Sequence, residues 1–167
     1  MTSLSLVVRP ERPEDDAAIA RLEARAFGPG RFARTAYRLR EGNPYRRDLG
    51  VTASVGSFLV GSVRMSPVRA GEAGVLMLGP LAVDPSFEGR GIGSALTRAA
   101  IEAARAAGEG LVILVGDAPY YARFGFAPVP PGRLTMPGPV DPARLLWLEL
   151  RDGFAVGLSG AILPAQG

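Results

Sequence analysis

Apolar and polar positions alternate and cluster along this chain in a way that predicts a sheet with helices laid across it. Leu4 to Arg9 (LSLVVR) reads as an opening strand, and Pro10 to Asp16 as a turn into a helix. Pro13 suits a first helical position, and Glu14, Asp15 and Asp16 favour the positive end of a helix dipole. Ile19, Leu22 and Ala26 then recur at helical spacing, with Gly28-Pro29 as the stop. Gly30 to Tyr45 reads as one short helix flanked by loops. Leu49 to Ser54 and Ser57 to Met65 read as two strands split at Val55-Gly56, Arg69 to Gly74 as a turn, and Val75 to Val83 as a nearly continuous apolar strand suited to the middle of a sheet. Gly79-Pro80 interrupts that strand, which predicts a bulge or a splay away from one neighbour.

A second helix follows, with Ile92, Leu96, Ala99, Ala103 and Ala107 as its apolar stripe and Gly108 as its stop. Leu111 to Val115 (LVILV) reads as a buried strand, so strand, helix and strand form a parallel crossover. Gly116 to Phe126 reads as a strand end running into a short helix that closes at Gly125. The proline- and glycine-rich remainder holds one clear strand, Leu145 to Leu150, and a weaker one, Ala155 to Leu163. Without repeats, heptads or a low-complexity linker, residues 1–167 are expected to form a single domain.

Composition narrows the chemistry more than the fold. The 167 residues contain no cysteine and no histidine. Cys/His zinc sites, thiol nucleophiles and Ser-His-Asp triads are therefore excluded, and no metal is expected. The net charge of +3 arises from 19 arginines against 16 acids, with no lysine. These arginines are scattered and form no aromatic-interleaved basic run, so nucleic acid is not an expected partner. No stretch resembles a signal peptide or approaches the 18 or so apolar residues of a membrane span, which makes a cytoplasmic location the expectation and leaves no membrane role.

The stretch Leu78 to Gly93, LGPLAVDPSFEGRGIG, carries the strongest signal. A strand hands over through a short loop to glycines 89, 91 and 93 and then to a helix. The first amides of a helix have no internal partner and carry partial positive charge, so glycines there allow an anion to approach closely. A P-loop requires lysine, which the chain lacks. A dinucleotide fingerprint turns directly from strand to glycine, whereas Asp84 to Glu88 intervene here and Ser94 takes the place of the third glycine.

LAVDPSFEGRGIGSAL resembles the signature of the GNAT superfamily of acetyl-CoA-dependent N-acyltransferases, a strand and Pro-containing loop followed by Gln/Arg-x-x-Gly-x-Gly/Ala. Downstream, Tyr121-Ala122-Arg123-Phe124-Gly125-Phe126 is similar to that family's second signature, Tyr-x-Lys/Arg-x-Gly-Phe. LGPLAVDP and GDAPYYARFGF look most like the YhbS-like branch. The resemblance covers Leu78 to Val129. It implies an α/β (α+β) fold, with a mixed, mostly antiparallel sheet of about six to seven strands, a parallel splayed pair in its middle and about four flanking helices.

It also implies acetyl-CoA as co-substrate, its pyrophosphate on Gly89, Arg90, Gly91, Ile92, Gly93 and Ser94, and its pantetheine arm added like a strand along Leu81, Ala82 and Val83. Tyr121 would be the general acid that protonates the leaving thiolate, with the adjacent Tyr120 as the alternative to face the site and as a cofactor contact. Asp117 stands where many relatives have a cofactor-contacting Asn, and Arg123 would help neutralise a coenzyme phosphate. Two positions depart from the pattern: Glu88 stands where Gln or Arg is usual, and the strand Val75 to Val83 carries no acid to act as base. The implied activity is acetyl transfer to a primary amine on a small molecule or peptide, in a ternary complex. The other class is a GNAT-fold acyl-CoA-binding regulatory module without catalysis. Phe27 to Tyr45 and the C-terminal strands would shape the acceptor site, and pairing into a homodimer is compatible with the resemblance.

Overall fold

A computed structural model describes residues 5–28 and 45–165. The helix expected within Gly30 to Tyr45 lies outside the described residues apart from Tyr45 itself. Strands β1 (Leu6–Pro10), β2 (Val51–Val55), β3 (Phe58–Ala70) and β4 (Ala73–Val83) form an antiparallel run. β4 then pairs in parallel with β5 (Leu111–Val115), and β8 (Leu145–Glu149) and β6 (Ala127–Pro128) continue the sheet antiparallel. β9 (Gly160–Pro164) lies beside the end of β3 and pairs with β7 (Leu134–Thr135). The expected mixed, mostly antiparallel sheet with a central parallel pair is what forms. Among the described residues it has nine strands rather than six or seven, because β6 and β7 are two-residue strands too short to show any periodicity.

Three α-helices occur among the described residues: α1 (Asp16–Phe27), α2 (Ile92–Ala106) and the single turn α3 (Ala118–Tyr121). α1 buries Ile19 and Leu22 and ends at Gly28, whose φ of 69° is a positive value that glycine adopts readily. α2 differs from expectation. Its core face is Ile92, Leu96, Thr97, Ala100, Ile101 and Ala104, whereas Ala99 and Ala103 are half-buried and Ala107 is exposed. Alanines occur on every side of this helix and mark no face; Leu96 and Ile101, with far more area to bury, decide the rotation.

The two faces of the sheet are assigned by β3. Val63 and Met65 pack into the core with α2, so Arg64 between them points to the other face, where it meets Asp16 of α1 at 3.1 Å. β3 runs five residues past its expected end at Met65, because Val68 and Ala70 bury against Val75 and Ile162. The weaker C-terminal strand begins at Gly160 rather than Ala155, since residues 153–158 are closed by turn bonds from Val156 N to Gly153 O and from Leu158 N to Ala155 O.

α1 enters through an acid-sensitive clasp. Arg9 donates two hydrogen bonds to the Asp15 carboxylate at 2.9 and 2.8 Å, and the Arg12 amide donates a third at 2.8 Å. The Arg9 bond, reinforced by the backbone donor and outweighing the opposing effect of burial, holds the Asp15 carboxyl below its ordinary 3.8. The unfolded chain takes up this proton near that ordinary value while the folded chain resists it, so the clasp's stability is present above about pH 4 and is lost as pH falls through the folded value. Melting temperatures recorded from pH 7 to pH 3 are expected to fall less steeply below about pH 4 in Asp15→Asn than in the wild type, from a lower starting point.

Candidate active site

The site is built where β4 parts from β5. The parallel ladder pairs Leu76 with Val112 and Met77 with Ile113 and goes no further. β4 continues to Val83 with β3 on one side, and on the other side Leu78 to Val83 has no strand among the described residues. The interruption predicted at Gly79-Pro80 lies just beyond the last paired residue, Met77. Val63 faces Leu81 and Met65 faces Leu78, so β4 carries an extra residue opposite Arg64, and Gly79 sits at φ 132° before a cis Gly79–Pro80 peptide. Leu81 and Val83 pack their side chains against the α2-side core while Ala82 is buried on the opposite face, which leaves the open backbone edge as the feature these residues share.

Beyond β4, Asp84 folds the loop over itself. Its carboxylate accepts from the Ser86 amide at 2.9 Å and from Arg25 of α1 at 3.1 Å. The Ser86 amide is the main reason its carboxyl is held below the ordinary value. Glu88 is exposed and has no ion pair among the described residues. Gly91 is the N-cap of α2 at φ 78°, and no side chain caps the helix. A Cβ added at Gly89 or Gly91 would meet nothing within 4 Å. The start of α2 is thus an open, uncapped cradle of amide donors, the arrangement that suits a pyrophosphate. The Ile92 side chain is buried, so only its amide is available there.

Two tyrosines approach this cradle from α3 in different ways. Tyr120 reaches across to α2, its hydroxyl 3.3 Å from Ser94 Oγ and 3.2 Å from where a Cβ on Gly93 would stand. Arg123 stacks on the Tyr120 ring at 4.4 Å and donates Nε to the Tyr120 carbonyl at 2.9 Å. Tyr121 instead lays its ring on the Gly116 backbone at the end of β5 and edge-on to Phe126, with centroids 5.8 Å apart. Its hydroxyl has no hydrogen-bond partner among the described residues. Burial, with a smaller contribution from Tyr120, pushes the Tyr121 phenol up to about 12; Arg144 opposes the shift and Asp117 adds to it. Asp117 is exposed at the N-cap of α3 and caps nothing with its side chain.

The structure therefore brings Gly89 to Ser94, Tyr120 and Arg123 together and sets Tyr121 beside them, its ring 4.9 Å from Tyr120. Sequence reasoning missed Arg98, which stacks on Phe124 at 5.0 Å, and Arg144, whose charge acts on Tyr121. Arg98 had a signal, being four residues beyond Ser94 on one helix face. Arg144 had none, since it meets Tyr121 only through the pairing of β8 with β5.

The sequence profile of the Acetyltransferase (GNAT) family matches residues 17–126, which include the cradle, the splayed strand and both tyrosines. The chain belongs to the GNAT acetyltransferase family. It is 35% identical over 120 residues to the uncharacterized N-acetyltransferase YjhQ of Escherichia coli K12, a match covering 68% of this chain and 65% of that protein. It is 31% identical over 123 residues to the uncharacterized N-acetyltransferase YhbS of the same strain, covering 72% of this chain and 73% of YhbS. Among solved structures, YhbS from E. coli in complex with CoA superimposes with a TM-score of 0.82 at 27% identity, over 98% of this chain and 92% of that one. A GNAT acetyltransferase from Brucella melitensis in complex with acetyl-CoA gives 0.62 at 30% identity, over 85% and 94%. The YhbS-like resemblance of the two motifs thus extends to the fold. No helix among the described residues is long and apolar enough to cross a membrane.

Proposed function

We propose that this GNAT chain transfers the acetyl group of acetyl-CoA to a primary amine of a small molecule or peptide, by direct attack within a ternary complex. The observation that carries this reading is the uncapped, glycine-opened start of α2 placed against the unpaired half of β4. The amides of Gly89 to Ser94 bind the pyrophosphate, and the free edge at Leu81 to Val83 takes the pantetheine amides as an added strand. A backbone N–H flanking Pro80 at the bulge polarises the thioester carbonyl and stabilises the oxyanion formed on attack. The CoA and acetyl-CoA held by the YhbS and Brucella structures support this choice of co-substrate.

Tyr121 supplies the proton-bearing group at the departing thiolate. Its phenol, pushed up to about 12, stays protonated through the working range, so it imposes no alkaline limb there. The acceptor amine must lose a proton before it attacks. The kcat/KM is therefore expected to rise with pH as the amine deprotonates and to show no descending limb up to about pH 10, a profile read from initial rates.

The activity is tested by thiol release from acetyl-CoA against amino acids, polyamines, aminoglycosides and peptide N-termini. At least one amine is expected to raise release above the rate in its absence. If none does while acetyl-CoA still binds, the second reading takes over, an acyl-CoA-binding regulatory module without turnover. The lack of histidine and the exposed Glu88 in place of Gln or Arg are what favour it.

A further inference from the structure

Beside Tyr121 the site carries a cation that no acid answers. Arg144 closes the short 3₁₀ turn Pro142–Arg144 that leads into β8. Its backbone is fixed on both sides, the carbonyl accepting from the Gly116 amide at 2.9 Å and the amide donating to the Asp141 carbonyl at 2.9 Å. Gly116 is the residue on which the Tyr121 ring lies, so this bond tethers Arg144 next to the phenol, and its charge acts there. Arg144 is exposed, and among the described residues no carboxylate stands within ion-pair distance of it. Asp141 turns its carboxylate to the Ala143 amide at 2.9 Å. Asp117, whose charge also acts on Tyr121, forms no ion pair with Arg144.

An unanswered cation at this place works against the proposed acetyl transfer, on which this step rests. A primary amine reaches the site near neutral pH chiefly as an ammonium ion, and it must approach the thioester whose sulfur Tyr121 serves. A lone guanidinium beside that phenol repels it, and repels a polycation most. The sign reverses when the acceptor brings its own anion. A guanidinium fork takes a carboxylate through two parallel N–H bonds, and a carboxylate on the amine-bearing carbon would be carried in with the attacking nitrogen. The strand order β3, β4, β5, β8 sets Arg144 across the parting of β4 and β5 from the free edge given to pantetheine, on the side left for the acceptor. We infer that Arg144 receives the carboxylate of the acceptor, which makes free α-amino acids, rather than polyamines or aminoglycosides, the substrate class of this site.

The test uses acceptors that differ only in the carboxylate, phenylalanine against phenethylamine and alanine against ethylamine, with kcat/KM read from thiol release. Comparing wild type with Arg144→Gln for each acceptor cancels that acceptor's own basicity. The variant is expected to lose about tenfold more on the amino acid than on its decarboxylated partner, chiefly through KM, the effect of one charge-assisted bond at an exposed site. Arg144→Lys keeps the charge without the fork and is expected to retain part of the preference. In the wild type, added salt is expected to narrow it. Equal losses on both members of a pair, or turnover of amines but of no amino acid, overturn the carboxylate site and leave acetyl transfer standing. Calorimetry with acetyl-CoA reports that the variant is folded, and a tenfold fall in that affinity would make Arg144 a coenzyme contact and overturn the site as well. If wild type releases thiol with no acceptor of either kind, the transfer reading fails and the site with it.

Discussion

Replacing Tyr121 by phenylalanine is expected to slow acetyl transfer about ten- to a hundredfold while leaving acetyl-CoA affinity within about twofold. The size follows from the phenol's surroundings. A group at about 12 lies well above a free thiol of about 8.5, so complete proton transfer to the departing thiolate is uphill. What Tyr121 offers most directly is a hydrogen bond to the charge that develops on sulfur, a charge-assisted bond contributing about 1.5–3 kcal/mol. The edge-on packing against Phe126 and the seat on Gly116 survive the loss of one oxygen, so the fold and the cradle are left in place. Single-turnover rates and calorimetric affinities measured together decide the matter. Tyr120→Phe serves as the contrast, because its hydroxyl sits on Ser94 and its loss is expected in the affinity for acetyl-CoA. If Tyr120→Phe reduces the rate and Tyr121→Phe does not, the proton-bearing role passes to Tyr120.

The largest expected effect on stability lies away from the chemistry, at Glu11. Its side chain has no exposed surface and accepts from Arg47 at 2.8 Å and from Arg64 Nε at 3.0 Å. Arg47 and Arg64 also share Asp16, at 2.9 and 3.1 Å, and Arg64 stacks at 4.0 Å on the Tyr45 ring. Removing one member of such a set strands buried charge, so Glu11→Ala is expected to destabilise the fold by about 3–5 kcal/mol. For a chain of this size that is a fall of about 10 °C in melting temperature, and in urea a lower midpoint with an unchanged slope. Glu11→Gln keeps the volume and one acceptor and should lose less. The same network fastens α1 to β3 at Arg64, the residue opposite the Gly79–Pro80 bulge, and so supports the strand from which the open edge departs.

The part of the fold that positions the site was legible because its signals are local. An unbroken apolar run, a glycine-proline interruption, three spaced glycines and a second apolar run lie within Val75 to Val115, and the structure forms the bulged strand, helix and parallel strand in that order. Elsewhere the deciding interactions are distant in sequence. Glu11, Asp16, Arg47 and Arg64 each look like ordinary surface charges until β1, α1 and β3 are brought together. The rotation of α2 was misjudged because alanine marks no face. The two-residue strands β6 and β7 exist only through their neighbours, Trp147 and Leu146 for one and Gly160 and Ala161 for the other. Tyr120 and Tyr121 are adjacent in an aromatic run, and only the placement of Ser94 and Gly116 separates their surroundings.

The central claim is that acetyl-CoA lies across the start of α2 and along the free edge of β4. It is tested most directly by following backbone amide resonances as acetyl-CoA is added. The account predicts that the largest shifts fall at Gly89, Gly91, Ile92, Gly93 and Ser94, with a second group at Leu81 to Val83. Saturable binding that leaves those amides unmoved, or no binding at all, would contradict it.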